Sequence, residues 1–120
     1  RAALRTAVEG ETGKALVVCH AAGLLAFTRD SDGEILAAGR DVTGFPNAWE
    51  KGIVDEQDIF EGRKLPYWVE DEVTAVGANW DAELDADTSV TVDGDLVTAR
   101  GPGSSHAAAL TLLEELGVEA

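Results

Sequence analysis

The amino-acid sequence predicts a single α/β domain of 120 residues whose sheet is mostly parallel. A continuous apolar run at residues 14–18 is typical of a strand that is buried on both faces of a parallel sheet. Two alternating β-branched segments flank Asp93-Gly94, a pair that favours a two-residue hairpin turn. Helical patterns surround these strands, so the predicted order of elements is α-β-α-β-α-β-β-α.

The first half of the chain is predicted to hold two helices and two strands. Residues 1–9 form a helix because their apolar side chains recur at helical spacing, and the strand at 14–18 follows. A second helix begins in the small residues of 21–27, and a short strand at 41–45 ends before a proline. Residues 47–60 have no clear period, which indicates a long functional loop or a short helix followed by a loop.

The second half is predicted to contain two helices around the hairpin, which spans residues 89–98. The helix at 65–77 ends at Gly77 and presents one apolar face, made of Trp68, Val69, Val73 and Val76. A turn at 101–104 caps the last helix, which spans residues 105–116. The four predicted strands make an incomplete sheet.

The charge of the chain excludes several classes of function. Twenty-three acidic residues against nine basic ones give a net charge of −14, the wrong sign for binding nucleic acid. No apolar run approaches the roughly 20 residues that a membrane-spanning helix needs, so we expect no membrane partner. A single cysteine, Cys19, excludes a disulfide framework within this chain.

The acidic residues are spread along the whole chain, and only three lysines occur against six arginines. Such a surface stays hydrated where high salt would precipitate an ordinary one. The composition therefore resembles that of a haloarchaeal cytoplasmic protein, and an ordinary acidic protein is the alternative. Because Arg1 lies inside a helical pattern that no signal peptide precedes, we expect a piece of a longer, cytoplasmic protein.

Cys19 is the first candidate for chemistry. A lone cysteine after an apolar strand is usually a small buried side chain. Here, however, the strand ends at Cys19 and a helix begins, which is the layout of a nucleophile elbow. Amides at the start of that helix would stabilise a thiolate, and the small residues Ala21, Ala22 and Gly23 suit a sharp turn.

His20 is adjacent to Cys19 and is a candidate base or ion-pair partner. Consecutive side chains normally diverge, so a strained turn and a third group are needed to hold the imidazole beside the sulfur. The sequence offers four acidic candidates for that group: Asp41, Glu50, Asp55 and Glu56. In a chain this acidic, most of them are expected to be solvated surface residues.

The remaining candidates favour structure over chemistry. His106 lies at the start of the last helix with no cysteine or acid beside it, so we interpret it as a surface or capping residue. The histidines and the cysteine are too scattered for a zinc site, and we expect no metal and no cofactor. Trp49 and Trp68 are expected to be packing residues, although Trp49 beside Glu50 could form a wall of a pocket.

Four segments, at residues 17–25, 41–50, 65–73 and 92–102, carry motifs that resemble those of the ThiJ/PfpI superfamily, in particular its heat-shock chaperone and glyoxalase III branch. VVCHAAGLL at residues 17–25 resembles the Cys-His elbow of the family, although Ala21 stands where Gly is usual. DVTGFPNAWE at 41–50 resembles the segment that brings an acid to the elbow histidine, and Glu50 matches that acid. LPYWVEDEV at 65–73 and VDGDLVTARGP at 92–102 resemble a later helix and the terminal hairpin with its turn.

The resemblance covers residues 16–116 and implies the C-terminal part of a flavodoxin-like three-layer sandwich. The N-terminal part of such a domain would bring the first strands, an acid that bonds the cysteine and a Gly-Gly turn that donates amides to an oxyanion. We therefore expect a missing N-terminal segment or a companion chain to complete the sheet, and a homodimer.

The resemblance also implies a function in aldehyde detoxification during stress. Cys19 would attack the aldehyde of methylglyoxal or a related α-oxoaldehyde, and His20, oriented by Glu50, would move protons while lactate forms without glutathione. The enzyme would then be a glyoxalase III-like lyase. The alternatives are a hydrolase of the same superfamily (a cysteine peptidase or amidase) and a redox-sensitive chaperone.

Overall fold

Helices and strands alternate along the chain, as an α/β domain requires, and the computed structural model describes residues 1–10, 13–83, 85 and 87–118. The helices and strands in chain order are α1 (Ala2–Glu9), β1 (Ala15–Val18), β2 (Asp41–Val42), α2 (Asn47–Lys51), α3 (Val69–Ala75), β3 (Asn79–Trp80), β4 (Val90–Asp93), β5 (Leu96–Ala99) and α4 (Ser105–Glu115). Three tighter or wider helical segments join them: 3-10 helices at Cys19–Ala26 and Pro102–Ser104, and a π-helical turn at Gly52–Glu56.

The described strands form two small sheets in which parallel pairing predominates. In the first, with order β1-β5-β4, β1 runs parallel to β5, and β4 pairs antiparallel with β5 across the hairpin. Gly94 turns that hairpin with φ +58°, a conformation that few residues other than glycine adopt easily. In the second sheet, β2 and β3 are parallel. The predicted α/β class and hairpin are confirmed.

Several predicted boundaries were wrong, and each has a local cause. The helix predicted from residue 65 begins at Val69, because the backbone of Trp68 is extended (φ −110°, ψ 133°). The strand predicted for 41–45 ends at Val42, since the Thr43 amide donates to the Thr98 hydroxyl at 2.9 Å instead of continuing a ladder. The short strand β3 was not predicted.

The core lies between β5 and the helical segments. All four residues of β5 are buried, whereas β1 alternates between buried Ala15 and Val17 and partly exposed neighbours. The sequence predicted burial of β1 on both faces; β5 has that burial instead because it lies between β1 and β4. The other buried apolar side chains include Ala22, Leu25, Leu36, Val42, Val69 and Val73. No helix in the described ranges is both long and apolar enough to cross a bilayer.

The free edge of β1 agrees with the expectation that another segment completes the sheet. Among the described strands, β1 pairs only with β5. The Ala15 amide points toward β5 and donates to the Asp95 carbonyl at 2.8 Å. Because strand amides alternate in direction, those of Leu16 and Val18 point to the free edge. We propose that a strand outside this chain pairs with them.

Hydrogen exchange on the full-length protein tests this proposal. The amides of Leu16 and Val18 should exchange about as slowly as that of Ala15, because a partner strand would protect both edges of β1. The amide of exposed Lys64, in the irregular segment before α3, serves as the fast-exchanging reference. Exchange of Leu16 and Val18 at the rate of Lys64 would contradict the proposal.

Candidate functional site

Cys19 lies at a strained turn where β1 ends. Its φ of +64° falls in the left-handed region, which costs free energy in a residue that has a side chain. The chain enters the 3-10 helix Cys19–Ala26 directly after β1, and the Cys19 carbonyl accepts a hydrogen bond from the Phe45 amide at 3.3 Å. The predicted strained elbow is therefore confirmed, although the helix that follows is 3-10 rather than α.

Small residues let the chain pack closely around this elbow. A Cβ on Gly44 would lie 2.7 Å from the Cβ of Ala22 and 3.2 Å from the Cys19 carbonyl. A Cβ on Gly23 would lie 2.9 Å from the ring of Tyr67. Neither position has room for a side chain, which gives the small residues of the motif a steric reason.

Three side chains form a continuous polar relay. The Cys19 Sγ lies 3.3 Å from His20 Nδ1, and His20 Nε2 lies 3.0 Å from each oxygen of the Glu50 carboxylate. With two carboxylate oxygens at Nε2, the ring proton belongs on Nε2, which donates to Glu50 and leaves Nδ1 free to accept from the thiol. The contacts that the sequence predicted are present, while the catalytic roles stay a prediction.

Burial distinguishes Glu50 from the three other acidic candidates. The Glu50 side chain is 1% exposed, against 47% for that of His20. Asp41, Asp55 and Glu56 are all exposed, and His20 is not among their hydrogen-bond partners. His106 is exposed on α4, in agreement with its interpretation as a surface residue.

An aromatic pair lies against the imidazole, and sequence reasoning did not assign a role to one member, Phe45. Phe45 stacks on His20 with ring centroids 4.3 Å apart, and the Trp49 ring meets Phe45 edge-on at 5.6 Å. The only sequence signal for Phe45 was its position within the segment at 41–50. Trp49 was expected to pack or to form a pocket wall; its ring packs against Phe45 and does not line the cavity beside His20.

The electrostatics of Cys19 differ from the prediction of a stabilised thiolate. Burial raises the pKa of the thiol above its ordinary value, and the negative charge of Glu50 raises it further. The His20 amide bonds to the sulfur and lowers the pKa, as predicted for amides at the elbow, but burial has the larger effect. The resting cysteine therefore favours the thiol, and its activation needs a base.

A cavity of about 280 Å³ opens beside His20. Its other walls are apolar or aromatic, and they come from the segment that leads into α3 and from the first residue of that helix: Phe60, Leu65, Pro66, Tyr67 and Val69. Tyr67 also contacts Phe27 edge-on at 5.0 Å between ring centroids. A small organic molecule in this cavity would contact His20, the member of the relay that lines it.

Solved structures that resemble the chain are about twice its length or more. The chain superimposes on Rapid Encystment Protein 24 kDa of Francisella tularensis with a TM-score of 0.73 and 26% identity, over 88% of this chain and 44% of that one. For glyoxalase III of Candida albicans the TM-score is 0.70 and the identity 25%, over 86% of this chain and 43% of that one.

A third likeness is to a two-domain protein of Anabaena variabilis with DJ-1/ThiJ/PfpI-like and ferritin-like domains. Its TM-score is 0.52 at 24% identity, over 90% of this chain and 22% of that one. No protein-family model and no curated protein matches the chain. The likenesses confirm the flavodoxin-like α/β fold that the sequence motifs implied, and the chain spans less than half of each structure.

The raised pKa of Cys19 predicts how its alkylation depends on pH. The rate of its reaction with iodoacetamide should keep rising above the ordinary thiol pKa, because only the thiolate reacts. Substitution Glu50→Gln removes a charge that raises this pKa, so the midpoint should move to lower pH. Mass spectrometry of the Cys19 peptide measures both profiles. A wild-type midpoint below the ordinary value would support the stabilised thiolate instead.

Proposed function

We propose that this chain, which is part of a ThiJ/PfpI-type domain, carries the nucleophile of a glyoxalase that converts methylglyoxal or a related α-oxoaldehyde to the 2-hydroxy acid without glutathione. The observation that carries the proposal is the relay from Cys19 through His20 to buried Glu50, at a strained elbow beside an open cavity. These are the parts that covalent catalysis with general acid–base assistance requires.

The relay supplies the base that a thiol of raised pKa needs. As the sulfur attacks the aldehyde carbon, His20 Nδ1 takes the thiol proton and then gives it to the aldehyde oxygen, which yields a hemithioacetal. The charge that appears on the imidazole is stabilised by Glu50, which accepts the Nε2 hydrogen at 3.0 Å. Burial of the carboxylate strengthens this interaction relative to one in water.

The hemithioacetal then rearranges without an external oxidant. His20 removes the proton from the former aldehyde carbon, the former ketone oxygen takes up a proton, and an enediol forms. A proton then adds to the former ketone carbon while the hydroxyl on the first carbon loses its proton, so that the first carbon is oxidised and the second is reduced. The product is a thioester between Cys19 and the 2-hydroxy acid. Water cleaves the thioester, restores the thiol and releases lactate, so methylglyoxal plus water balances lactate.

The cavity beside His20 supports a small carbonyl substrate. Its apolar wall would accept the methyl group of methylglyoxal, while the reacting carbonyls lie toward the relay. The superfamily hydrolases proposed as an alternative would use the same nucleophile and base. A chaperone would need neither, since client binding depends on exposed apolar surface rather than on a proton relay.

Activity of variants of the full-length protein tests the enzymatic proposal. Cys19→Ala and Cys19→Ser should lose methylglyoxal turnover by about 10³-fold or more, because alanine has no nucleophile and serine is barely ionised near neutral pH. His20→Ala should lose about 10²- to 10⁴-fold in kcat. Glu50→Gln should lose less than His20→Ala, because it misorients the imidazole without removing it. Lactate formation measures each rate.

Glu56→Gln is the matched control for Glu50→Gln, because Glu56 is an exposed acid close to it in sequence and outside the relay. Its turnover should equal that of the wild type. Full turnover by Cys19→Ala would overturn the mechanism. A wild-type protein that lacks turnover and instead suppresses aggregation of an unfolding client would favour the chaperone, and one that cleaves peptide or amide bonds would favour the hydrolase.

A further inference from the structure

Trp49 is connected to both partners of the bond between His20 and Glu50 without belonging to the relay. Its ring meets Phe45 edge-on at 5.6 Å, and Phe45 stacks on the His20 imidazole at 4.3 Å. Trp49 also directly precedes Glu50 in α2, so its backbone is joined to that of the residue that carries the carboxylate. A displaced indole would therefore act on His20 through Phe45 and on Glu50 through the backbone.

The helix α2 cannot hold this position by itself. It has five residues and continues into the five residues of the π-helical turn, which together are still fewer than the roughly 12 that an isolated helix needs for stability in water. One anchor lies at its start, where the Asn47 amide donates to Glu70 at 3.1 Å and the Asn47 side chain donates to Asp71 at 2.7 Å. The other anchor is the ring of Trp49.

The segment that follows β5 forms the seat of that ring. The Arg100 guanidinium lies over Trp49 at 6.0 Å from the ring centroid and over Trp80 at 5.6 Å. Arg100 is fully buried and donates from Nη2 to the Asp81 carbonyl. Gly101 faces the six-membered ring of the indole, where an added Cβ would lie 3.0 Å from Cζ3.

The topology brings this seat to the elbow. Val18, the last residue of β1, lies opposite Ala99, the last residue of β5, in a parallel register. The two strands therefore lead into Cys19 and into Arg100-Gly101 at the same end of the sheet, where both strands finish. The seat and the nucleophile are thus fixed to neighbouring strands of one sheet.

We propose that Trp49 is a positioning residue for the relay and that Arg100 and Gly101 form its seat. The indole fixes Phe45 beneath the imidazole and holds α2 so that the Glu50 carboxylate stays on His20 Nε2. The catalytic consequence of this role rests on the proposed function. The geometry of the relay can be probed without turnover, through the pH dependence of Cys19 alkylation. The expected cost of disturbing the seat is a slower proton transfer with unchanged binding of substrate.

Gly101→Ala in the full-length protein probes the seat without altering any side chain of the relay. The backbone of Gly101 is extended (φ −168°, ψ −171°), so alanine introduces no backbone strain, and its Cβ must displace the indole by a few tenths of an ångström. We expect kcat for methylglyoxal to fall about three- to tenfold with KM unchanged, because catalysis is sensitive to small misplacements. The alkylation midpoint of Cys19 should also shift, since the charge of Glu50 contributes to its pKa.

Gly52→Ala is the matched control. Gly52 directly follows α2, has helical dihedrals (φ −61°, ψ −45°) and has nothing within 4 Å of an added Cβ. It should leave kcat, KM and the alkylation midpoint at wild-type values. If Gly101→Ala does not fold, Trp49→Leu and Trp49→Phe replace it: leucine should reduce kcat about 10- to 100-fold, and phenylalanine should recover part of the loss by keeping an aromatic edge on Phe45.

The alkylation profile separates failure of this inference from failure of the proposed function. If the wild type lacks glyoxalase activity but Gly101→Ala shifts the Cys19 midpoint while Gly52→Ala does not, the positioning role holds for a different reaction. If Gly101→Ala, or Trp49→Leu in its place, lowers only the melting temperature and leaves kcat and the midpoint unchanged, Trp49 is a packing residue and the inference is overturned.

Discussion

The buried carboxylate of Glu50 is the constraint on which the site depends. An ionised group that is almost fully buried is costly unless it is paired and hydrogen-bonded. Its partner is the Nε2 hydrogen of His20, which both carboxylate oxygens face at 3.0 Å. Because His20 follows Cys19 in the chain, the same pairing orients the imidazole toward the sulfur. The aromatic contacts of Phe45 and Trp49 then have one effect: they keep the Glu50 carboxylate and the His20 imidazole in a single arrangement.

The sheet contributes to this arrangement through its parallel register. Strands β1 and β5 end side by side, so the turns that follow them lie at the same end of the sheet. The turn after β1 has a left-handed residue, whereas the turn after β5 is extended at Gly101 and buries a guanidinium. Two neighbouring strand ends thereby lead into the strained residue Cys19 and the buried guanidinium of Arg100, which lies over Trp49. This division explains why residues far apart in sequence act on the same few side chains.

Local features of the site could be predicted from sequence, and features that depend on distant burial could not. The strained turn at Cys19 follows from an apolar strand, a polar pair and small residues that are contiguous in the chain. The contact of Glu50 with His20 was predicted from the resemblance of the segment at 41–50 to a family motif. The residues alone left four acids as candidates for the partner of His20, because burial of one of them depends on how α2 packs. Phe45 was unassigned for the same reason.

The fold shows the same division between local and non-local information. The hairpin and α4 follow from turn residues and periodicity nearby in sequence. Strand β3 has two residues, too few for a periodic pattern. It forms because the Asn79 amide donates at 2.8 Å to the carbonyl of Arg40, the residue before β2. The raised pKa of Cys19 was missed because the sequence shows the amides near a thiol but not how far other atoms exclude water from it.

The relay takes its three side chains from residues 19–50, so a segment outside this chain supplies none of them. Movement of such a segment across the elbow would change which molecules reach the sulfur and how much water surrounds it. As long as Arg100 and Gly101 keep Trp49 in place, the distances from Sγ to Nδ1 and from Nε2 to the carboxylate would not change. Access to the sulfur and proton transfer along the relay would then vary separately, and a gate over the site would alter how often the proposed reaction occurs without altering its chemistry.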